Sequence, residues 1–153
     1  MENDHPQHIL CAVRGRPASR ATVSRAIVLA LESGARLTFL HILDAEFLKN
    51  APGGPLSVVY QELAGMGEFA MQILVERAQR RGVKEVDYLV REGNIHKQLY
   101  QCALETEADT IVIGQPKPRQ GRNVFRPKEY QDLITHLEGE ANLRVIQVPH
   151  ESG

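Results

Sequence analysis

Hydrophobic residues along the chain form short continuous runs that alternate with stretches of helical periodicity. Residues 8–13 (HILCAV) are an apolar run bounded by a glycine, which predicts a strand buried on both faces of a sheet. Between Ser19 and Leu31 the apolar residues recur every three or four positions, which predicts a helix with one buried face. Gly34 is placed to end this helix. The chain therefore begins with a buried strand and an amphipathic helix.

The same alternation continues toward the C-terminus. Residues 44–57 hold clustered prolines and glycines and predict a loop, after which Ser57 is expected to cap a long helix running to about Arg81. Asn94 is expected to cap the next helix, and Pro127 fits the first turn of the last one. The strands predicted after the first are residues 36–43, 85–91, 110–113 and 143–148.

Strands that alternate with helices throughout favour an α/β fold with a five-stranded parallel sheet and helices on both faces. Right-handed crossovers leave few topologies, and the leading one is the Rossmann-like strand order 3-2-1-4-5. In such a sheet ligands bind at the carboxyl ends of the strands where the order reverses, here between strands one and four. The predicted organisation is one domain over residues 8–149, with tails at 1–7 and 150–153.

Composition narrows the classes of partner. The chain has 153 residues and a formal net charge of -1, so it lacks the overall basic charge of a nucleic-acid-binding protein, and no nucleic-acid partner is expected. No apolar run approaches the ~20 residues of a membrane span, and the polar start is unlike a secretory signal, which predicts a cytoplasmic protein without a membrane partner. Cys11 and Cys102 lie in apolar segments and are expected to act as small buried hydrophobes.

Five stretches in fixed order and spacing carry a family resemblance. They are ILCAVRGR (9–16), LTFLHI (37–42), REGNI (91–95), EADTIVIG (107–114) and LRVIQVP (143–149). In that order they resemble the patterns I-L-V-A-V-D-G-S, L-T-L-L-H-V, G-x-P-x-x-x-I, A-D-L-I-V-M-G and P-V-L-V-V of the universal stress protein family. The resemblance implies a fold like that of the adenine nucleotide alpha hydrolases, a role in stress response, and a homodimer in which the fifth strands of two subunits meet.

The chain departs from the family at the nucleotide-binding loop. ATP-binding members carry G-x-x-G, nine residues, then G-[ST] after the fourth strand, and these glycines let backbone N–H groups approach phosphate. Here Gly114 matches, but the later positions hold Lys117, Pro127 and Lys128. The aspartate that the family uses at the end of strand one is Arg14 in this chain. The resemblance therefore implies an altered site that does not bind ATP in the family's usual mode.

Basic residues crowd the two loops that the predicted topology brings together. One interpretation is a solvated charge run, a second is a changed anion site, and a third is a contact with a protein or a nucleic acid. The basic residues are Arg14, Arg16, Lys117, Arg119, Arg122, Arg126 and Lys128. The candidate ligand crevice takes in Val13, Arg14, Gly15, Ile42, Leu43, Ile113, Gly114, Gln115, Lys117, Arg119, Gly121, Arg122 and Lys128.

No catalytic or metal-binding constellation emerges from the sequence. His41 lies in an apolar strand and is expected to be packed, while His96 and His136 are assigned to polar helix faces. No histidine pair has a metal-ligand spacing such as H-x₃-H, and no Ser-His-Asp or Cys-His set suggests itself.

Three hypotheses follow. The first is a non-catalytic dimeric regulatory protein without a cofactor. The second is a nucleotide- or phosphate-binding protein that uses Arg14, Lys117, Arg119 and Arg122, with an adenine nucleotide or another small anion as ligand. The third is an enzyme of the related fold, for which no nucleophile or base can be named. The candidate dimer residues on the fifth strand are Leu143, Val145, Ile146 and Val148.

Overall fold

A computed structural model describes residues 5–13, 19–43, 56–115 and 127–149, with the side chains of 19, 56–64 and 127–129 left out. Strands and helices alternate along the described chain, as the hydrophobic pattern predicts. The strands are β1 (His8–Val13), β2 (Arg36–Leu43), β3 (Val86–Glu92), β4 (Thr110–Gly114) and β5 (Arg144–Val148). The helices are α1 (Ser19–Ser33), α2 (Leu56–Arg81), α3 (Ile95–Thr106) and α4 (Pro127–Gly139).

The five strands form one parallel sheet in the order β3-β2-β1-β4-β5. The predicted order 3-2-1-4-5 is confirmed. In the register of the sheet, Ile9 of β1 lies opposite Leu37 of β2 on one side and opposite Thr110 of β4 on the other. β2 and β3 lie on one side of β1, whereas β4 and β5 lie on its other side. The strand order therefore reverses between β1 and β4.

Each face of the sheet is covered by its own hydrophobic core. Successive residues of a strand point to opposite faces, so Phe39 packs with α1 and α2 while Leu40 packs with α3 and α4. Met71 of α2 and Leu133 of α4 are fully buried in these two cores. A central strand with a core on both faces has no polar face, which explains why β1 reads as a continuous apolar run.

Local signals at the helix ends place most boundaries. Gly34 and Gly82 take positive φ angles of 74° and 112° after α1 and α2, a conformation that glycine adopts without strain. The Asn94 side-chain oxygen accepts a hydrogen bond from the Lys97 backbone N–H at 3.1 Å, so the predicted N-cap of α3 is confirmed. The predicted N-cap at Ser57 is wrong, because α2 already includes Leu56.

The start of the last strand also differs from the prediction by one residue. Leu143 lies before β5 because its backbone N–H donates to the Leu137 carbonyl at 3.1 Å and so still belongs to the end of α4. Asn142, just before it, has a φ of 55°, which turns the chain out of the helix. The third strand likewise begins at Val86 rather than Glu85. The division of the chain into one domain and two short tails stays a prediction.

A chain of hydrogen bonds links the amino-terminal halves of the first three strands. The Thr38 hydroxyl donates to a carboxylate oxygen of Asp87 at 2.6 Å, and the Arg36 guanidinium donates to the other carboxylate oxygen at 2.7 Å. His8 Nε2 lies 2.7 Å from the same Thr38 hydroxyl, and His8 Nδ1 donates to the Thr106 carbonyl at the end of α3. The Thr38 hydroxyl thus lies between the His8 ring and the Asp87 carboxylate and joins the two.

Both cysteines are buried and unbridged, which confirms the prediction that they pack as small hydrophobes. Burial raises the pKa of the Cys11 thiol far above its ordinary value. Burial also raises the pKa of the Cys102 thiol, although the nearby charge of Arg91 opposes the shift. Among the described helices, none is both long enough and apolar enough to cross a membrane.

Candidate functional site: the crevice between β1 and β4

The candidate crevice lies at the carboxyl ends of β1 and β4, where the strand order reverses. The structure describes the ends of the strands that form its floor. Several candidate residues lie outside the described residues: Arg14, Gly15, Lys117, Arg119, Gly121 and Arg122. Lys128 lies within the first turn of α4, but its side chain is outside the described part.

Val13 and Ile113, at the ends of the two central strands, face the cores. Their side chains are 5% and 2% exposed, so neither offers an apolar surface to a ligand. The Val13 carbonyl accepts a hydrogen bond from His41 Nδ1 at 3.2 Å, so this carbonyl already has a partner within the protein. These two strand ends are therefore held by contacts within the protein.

Gly114 has a structural partner of its own. A Cβ built on Gly114 would lie 2.8 Å from the Thr22 hydroxyl oxygen of α1, closer than real Cβ contacts come. Thr22 is 3% exposed and packed beneath the sheet end. The missing side chain at Gly114 therefore lets α1 pack tightly against β4.

The residue after Gly114 is tied to the neighbouring strand. The Gln115 backbone N–H donates to the Val148 carbonyl at 2.8 Å, and its side-chain amide donates to the Gln147 side-chain oxygen at 3.5 Å. A backbone N–H donor right after a strand is the group that a phosphate-binding loop presents to its ligand. In this chain that donor extends the sheet.

Ile42 and Leu43 line the end of β2. Both are half-buried, and Ile42 packs against the core beneath α3 and α4. The Leu43 carbonyl accepts a hydrogen bond from the Gly93 backbone N–H at 2.9 Å. Gly93 has a φ of 136°, so a glycine is required where the chain turns from β3 toward α3.

His41 is packed, as the sequence predicts. Its ring lies against Gly67 of α2, where a Cβ would come within 2.7 Å of the imidazole Cδ2. With Nδ1 donating to the Val13 carbonyl, the ring bridges the end of β1 and the middle of α2. This contact explains a glycine inside a helix, where it otherwise costs about 1 kcal/mol relative to alanine.

A sequence model described as the Universal stress protein family matches residues 6–138, from before β1 to within α4. The chain belongs to the universal stress protein family. The matched stretch ends before β5, and no curated protein shows a significant match in sequence.

Solved structures share the universal stress protein fold over almost the whole chain. A universal stress family protein from Burkholderia pseudomallei has a TM-score of 0.73 and 23% identity, covering 97% of this chain and 99% of its own. A universal stress protein from Archaeoglobus fulgidus in complex with dAMP has a TM-score of 0.60 and 20% identity, covering 93% of this chain and 97% of its own. A further universal stress protein, in complex with cAMP, has a TM-score of 0.61 and 17% identity, covering 97% and 100%.

The family's ATP-binding pattern covers positions 114–128 of this chain. Of these positions, the structure describes Gly114, Gln115 and the start of α4. α4 begins at Pro127, on the third glycine position of the pattern. A proline at the first helical position has no N–H to donate to a phosphate. The site thus combines a glycine used for packing with a helix start that lacks one donor.

Sequence reasoning missed a histidine pair at the contact between α3 and α4. His96 Nε2 of α3 lies 2.8 Å from His136 Nδ1 of α4, and His136 Nε2 lies 2.8 Å from a carboxylate oxygen of Glu140. Burial first, and then the charge of His136, lower the pKa of His96, while Asp132 opposes the shift. The two histidines lie 40 positions apart on different helices, so spacing along the chain gives no signal.

The candidate dimer strand β5 lies at an edge of the sheet and pairs with β4. Of the four residues predicted to form the dimer contact, Leu143 (just before β5) and Val148 are buried in this chain's own cores, with 7% and 8% exposure. Val145 and Ile146 are half-buried on opposite faces. A second subunit at this edge would therefore meet the strand backbone and these two partly exposed side chains.

Proposed function

We propose that this universal stress family protein is a non-catalytic, homodimeric regulator in the cytoplasm that does not bind ATP in the family's usual mode. Family membership supports a role in stress response. The observation that supports the proposal is that two backbone positions of the loop, among the residues that the structure describes, have no N–H to offer a phosphate. The Gln115 N–H is bonded to Val148, and α4 starts with Pro127.

The chemistry of the crevice agrees with this proposal. A triphosphate needs several converging N–H donors or a bound cation to offset its charge. Gly114 contributes a packing contact with Thr22 instead of an open approach. The carbonyls of Val13 and Leu43, at the ends of β1 and β2, are acceptors and are already paired.

A second candidate function is binding of a smaller anion, such as a nucleoside monophosphate. It is favoured because two proteins of the same fold were solved with cAMP and with dAMP, ligands with a single phosphate. The basic side chains of Arg14, Lys117, Arg119 and Arg122 would hold that phosphate by charge and by bidentate hydrogen bonds. In this scheme the arginines replace the glycine-rich cradle.

The first experiment separates these two functions by ligand. Thermal unfolding is measured with ATP, ADP, AMP, dAMP or cAMP at millimolar concentration, followed by calorimetric titration of any nucleotide that stabilises the protein. Saturable stabilisation reports binding to the folded state. We expect no stabilisation by ATP. Stabilisation by ATP that persists at physiological salt overturns the first proposal.

The second experiment restores the family's loop. In the variant Lys117→Gly, Pro127→Gly, Lys128→Ser, the motif regains its two glycines and its hydroxyl. If the loop alone prevents binding, this variant gains stabilisation by ATP that the natural protein lacks. The matched control, Arg119→Ser, alters the same loop outside the motif and should not gain it.

The small-anion function has its own variant. Replacing Arg14 and Arg122 by glutamine should abolish stabilisation by dAMP or cAMP, and added salt should weaken it, because the contacts are ionic. If neither monophosphate stabilises the natural protein, the second function is excluded while the first stands.

A further inference from the structure

The contact between α3 and α4 combines three groups that metal sites use. Two imidazole nitrogens, His96 Nε2 and His136 Nδ1, face each other at 2.8 Å. The other ring nitrogen of His136 donates to Glu140 at 2.8 Å, since a carboxylate can only accept. A carboxylate behind a histidine is the arrangement that orients metal-binding imidazoles in proteins.

The ring of His136 is fixed from a second direction. Tyr100 of α3 stacks on it with ring centroids 4.4 Å apart and an interplanar angle of 19°. Stacking sets the plane of the ring, and Glu140 sets its rotation and its tautomer. With Nε2 carrying a proton for Glu140, the neutral ring presents the lone pair of Nδ1 toward His96.

Two carboxylates of α4 and its C-terminal end lie near the pair. Glu140 follows His136 by one helical turn, and Asp132 precedes it by one turn on the same face of α4. Asp132 lies near enough to His96 to favour positive charge there. Burial and the charge of His136 outweigh Asp132 and lower the pKa of His96, so the two carboxylates offset only part of the cost of a cation between the rings.

We propose that His96 and His136 form an exchangeable site for Zn²⁺ or a similar late-transition ion, with Glu140 as the positioning carboxylate and water as the remaining ligands. Imidazole suits these ions, and tetrahedral zinc places two ligand nitrogens roughly 3.3 Å apart. To share the ion, the two nitrogens would separate by about half an ångström and each ring would turn by roughly 35°, so that both lone pairs converge on the metal instead of pointing at each other. Within the described chain, no third His, Cys, Asp or Glu side chain lies close enough to act as a further ligand. The protein therefore supplies two ligands to the proposed site.

The metal and the hydrogen bond exclude each other. Both nitrogens must offer a lone pair to the ion, whereas the direct contact needs one proton between them. Binding therefore moves that proton to the far nitrogen of His96 or to solvent. A bound ion would join α3 to α4 in place of the hydrogen bond.

The test is calorimetric titration of the full chain with ZnCl₂ in a non-chelating buffer, with thermal unfolding measured in parallel. We expect one ion per chain and a rise in the unfolding temperature with zinc. His96→Gln and His136→Gln should lower the affinity at least about tenfold, and Glu140→Gln about 10–100-fold. His5→Gln, an exposed histidine far along the chain, is the matched control and should bind as the natural protein does.

A spectroscopic measurement separates ligation from a purely structural role. With Cu²⁺ as the probe, nitrogen hyperfine splitting in the electron paramagnetic resonance spectrum should report two imidazoles in the natural protein and one in His96→Gln. Each variant is first compared without metal, so that a loss of folding is recognised. Equal zinc affinity in the natural protein and His96→Gln, or no saturable binding, overturns the proposal.

Discussion

Gly114 shows how one residue can satisfy a motif for a reason unrelated to it. In the universal stress family this position opens the phosphate loop, and the sequence interpretation retained it for that reason. In the structure the hydrogen at this position is required because the Thr22 hydroxyl of α1 occupies the space of a Cβ at 2.8 Å. A glycine can thus persist through packing after its neighbours have ceased to resemble a nucleotide site.

Substitution of Gly114 tests this packing role. Gly114→Ala should lower the free energy of unfolding by about 1–3 kcal/mol, because the buried contact with Thr22 becomes overpacked. In a Thr22→Ala background the same substitution should cost clearly less, since the opposing hydroxyl is gone. Gly65→Ala is the control: its Cβ meets nothing within 4 Å in α2, so it should stabilise by about 0.5–1 kcal/mol. Equal costs of Gly114→Ala in both backgrounds, measured by urea unfolding, would contradict the packing role.

The two thiols give a second prediction at the same scale. Burial raises the pKa of both Cys11 and Cys102, so at pH 8 each carries less reactive thiolate than an ordinary cysteine. Ellman's reagent should react with both at least about tenfold more slowly in the folded protein than in urea. Because the pH stays below the raised pKa of each thiol, the rate should keep rising by about tenfold per pH unit within the folded range, whereas an ordinary cysteine levels off near its pKa of about 8.5. Rapid labelling of one thiol in native buffer would show that its burial is incomplete.

At the scale of elements, most of the sheet was predictable. β1 and β2 have the predicted bounds, because strands buried on both faces are rich in apolar residues and are bounded by loop-forming residues. The boundaries that failed are those set by contacts between elements. β5 begins at Arg144 because Leu143 still closes α4, which no periodicity within the strand reveals.

The hydrogen-bonded link across β1, β2 and β3 is testable through its central residue. Thr38→Val keeps the shape but removes the hydroxyl that joins His8 Nε2 to Asp87. We expect a loss of about 1–3 kcal/mol in the free energy of unfolding, because a fully buried partner of two polar groups disappears. Thr135→Val, on an exposed position of α4, should change it by less than about 0.5 kcal/mol. Equal effects of the two substitutions would mean that the link contributes little.

At the scale of the whole molecule, the sheet has β3 at one edge and β5 at the other. The proposed dimer uses β5, which pairs with β4 on one side and forms an edge of the sheet described by the strand order. The family match ends before this strand, so the dimer rests on the edge itself and on the sequence resemblance. The half-buried Val145 and Ile146 are the side chains that a second copy would cover.

Sedimentation velocity at micromolar concentration is the measurement for the dimer. We expect a dimer for the natural protein and a shift toward monomer for Ile146→Glu, which places a charge at the proposed contact. Gln147→Glu, an exposed position on the same strand, is the matched control and should remain dimeric. Circular dichroism establishes that each variant is folded. A natural protein that sediments only as monomer would remove the dimer from the proposed function.

The sequence by itself determined the order of elements, the sheet topology and the family, because buried strands, amphipathic helices and capping residues are encoded locally. It also predicted where the strand order reverses, between β1 and β4, which is where the candidate ligand site is proposed. Only the tertiary structure decided what particular groups do there: that Gly114 makes room for Thr22, and that the Gln115 N–H pairs with Val148. It alone brought His96 beside His136. Such contacts join residues far apart in the chain, and the packing of one element on another sets them, not the local pattern of either.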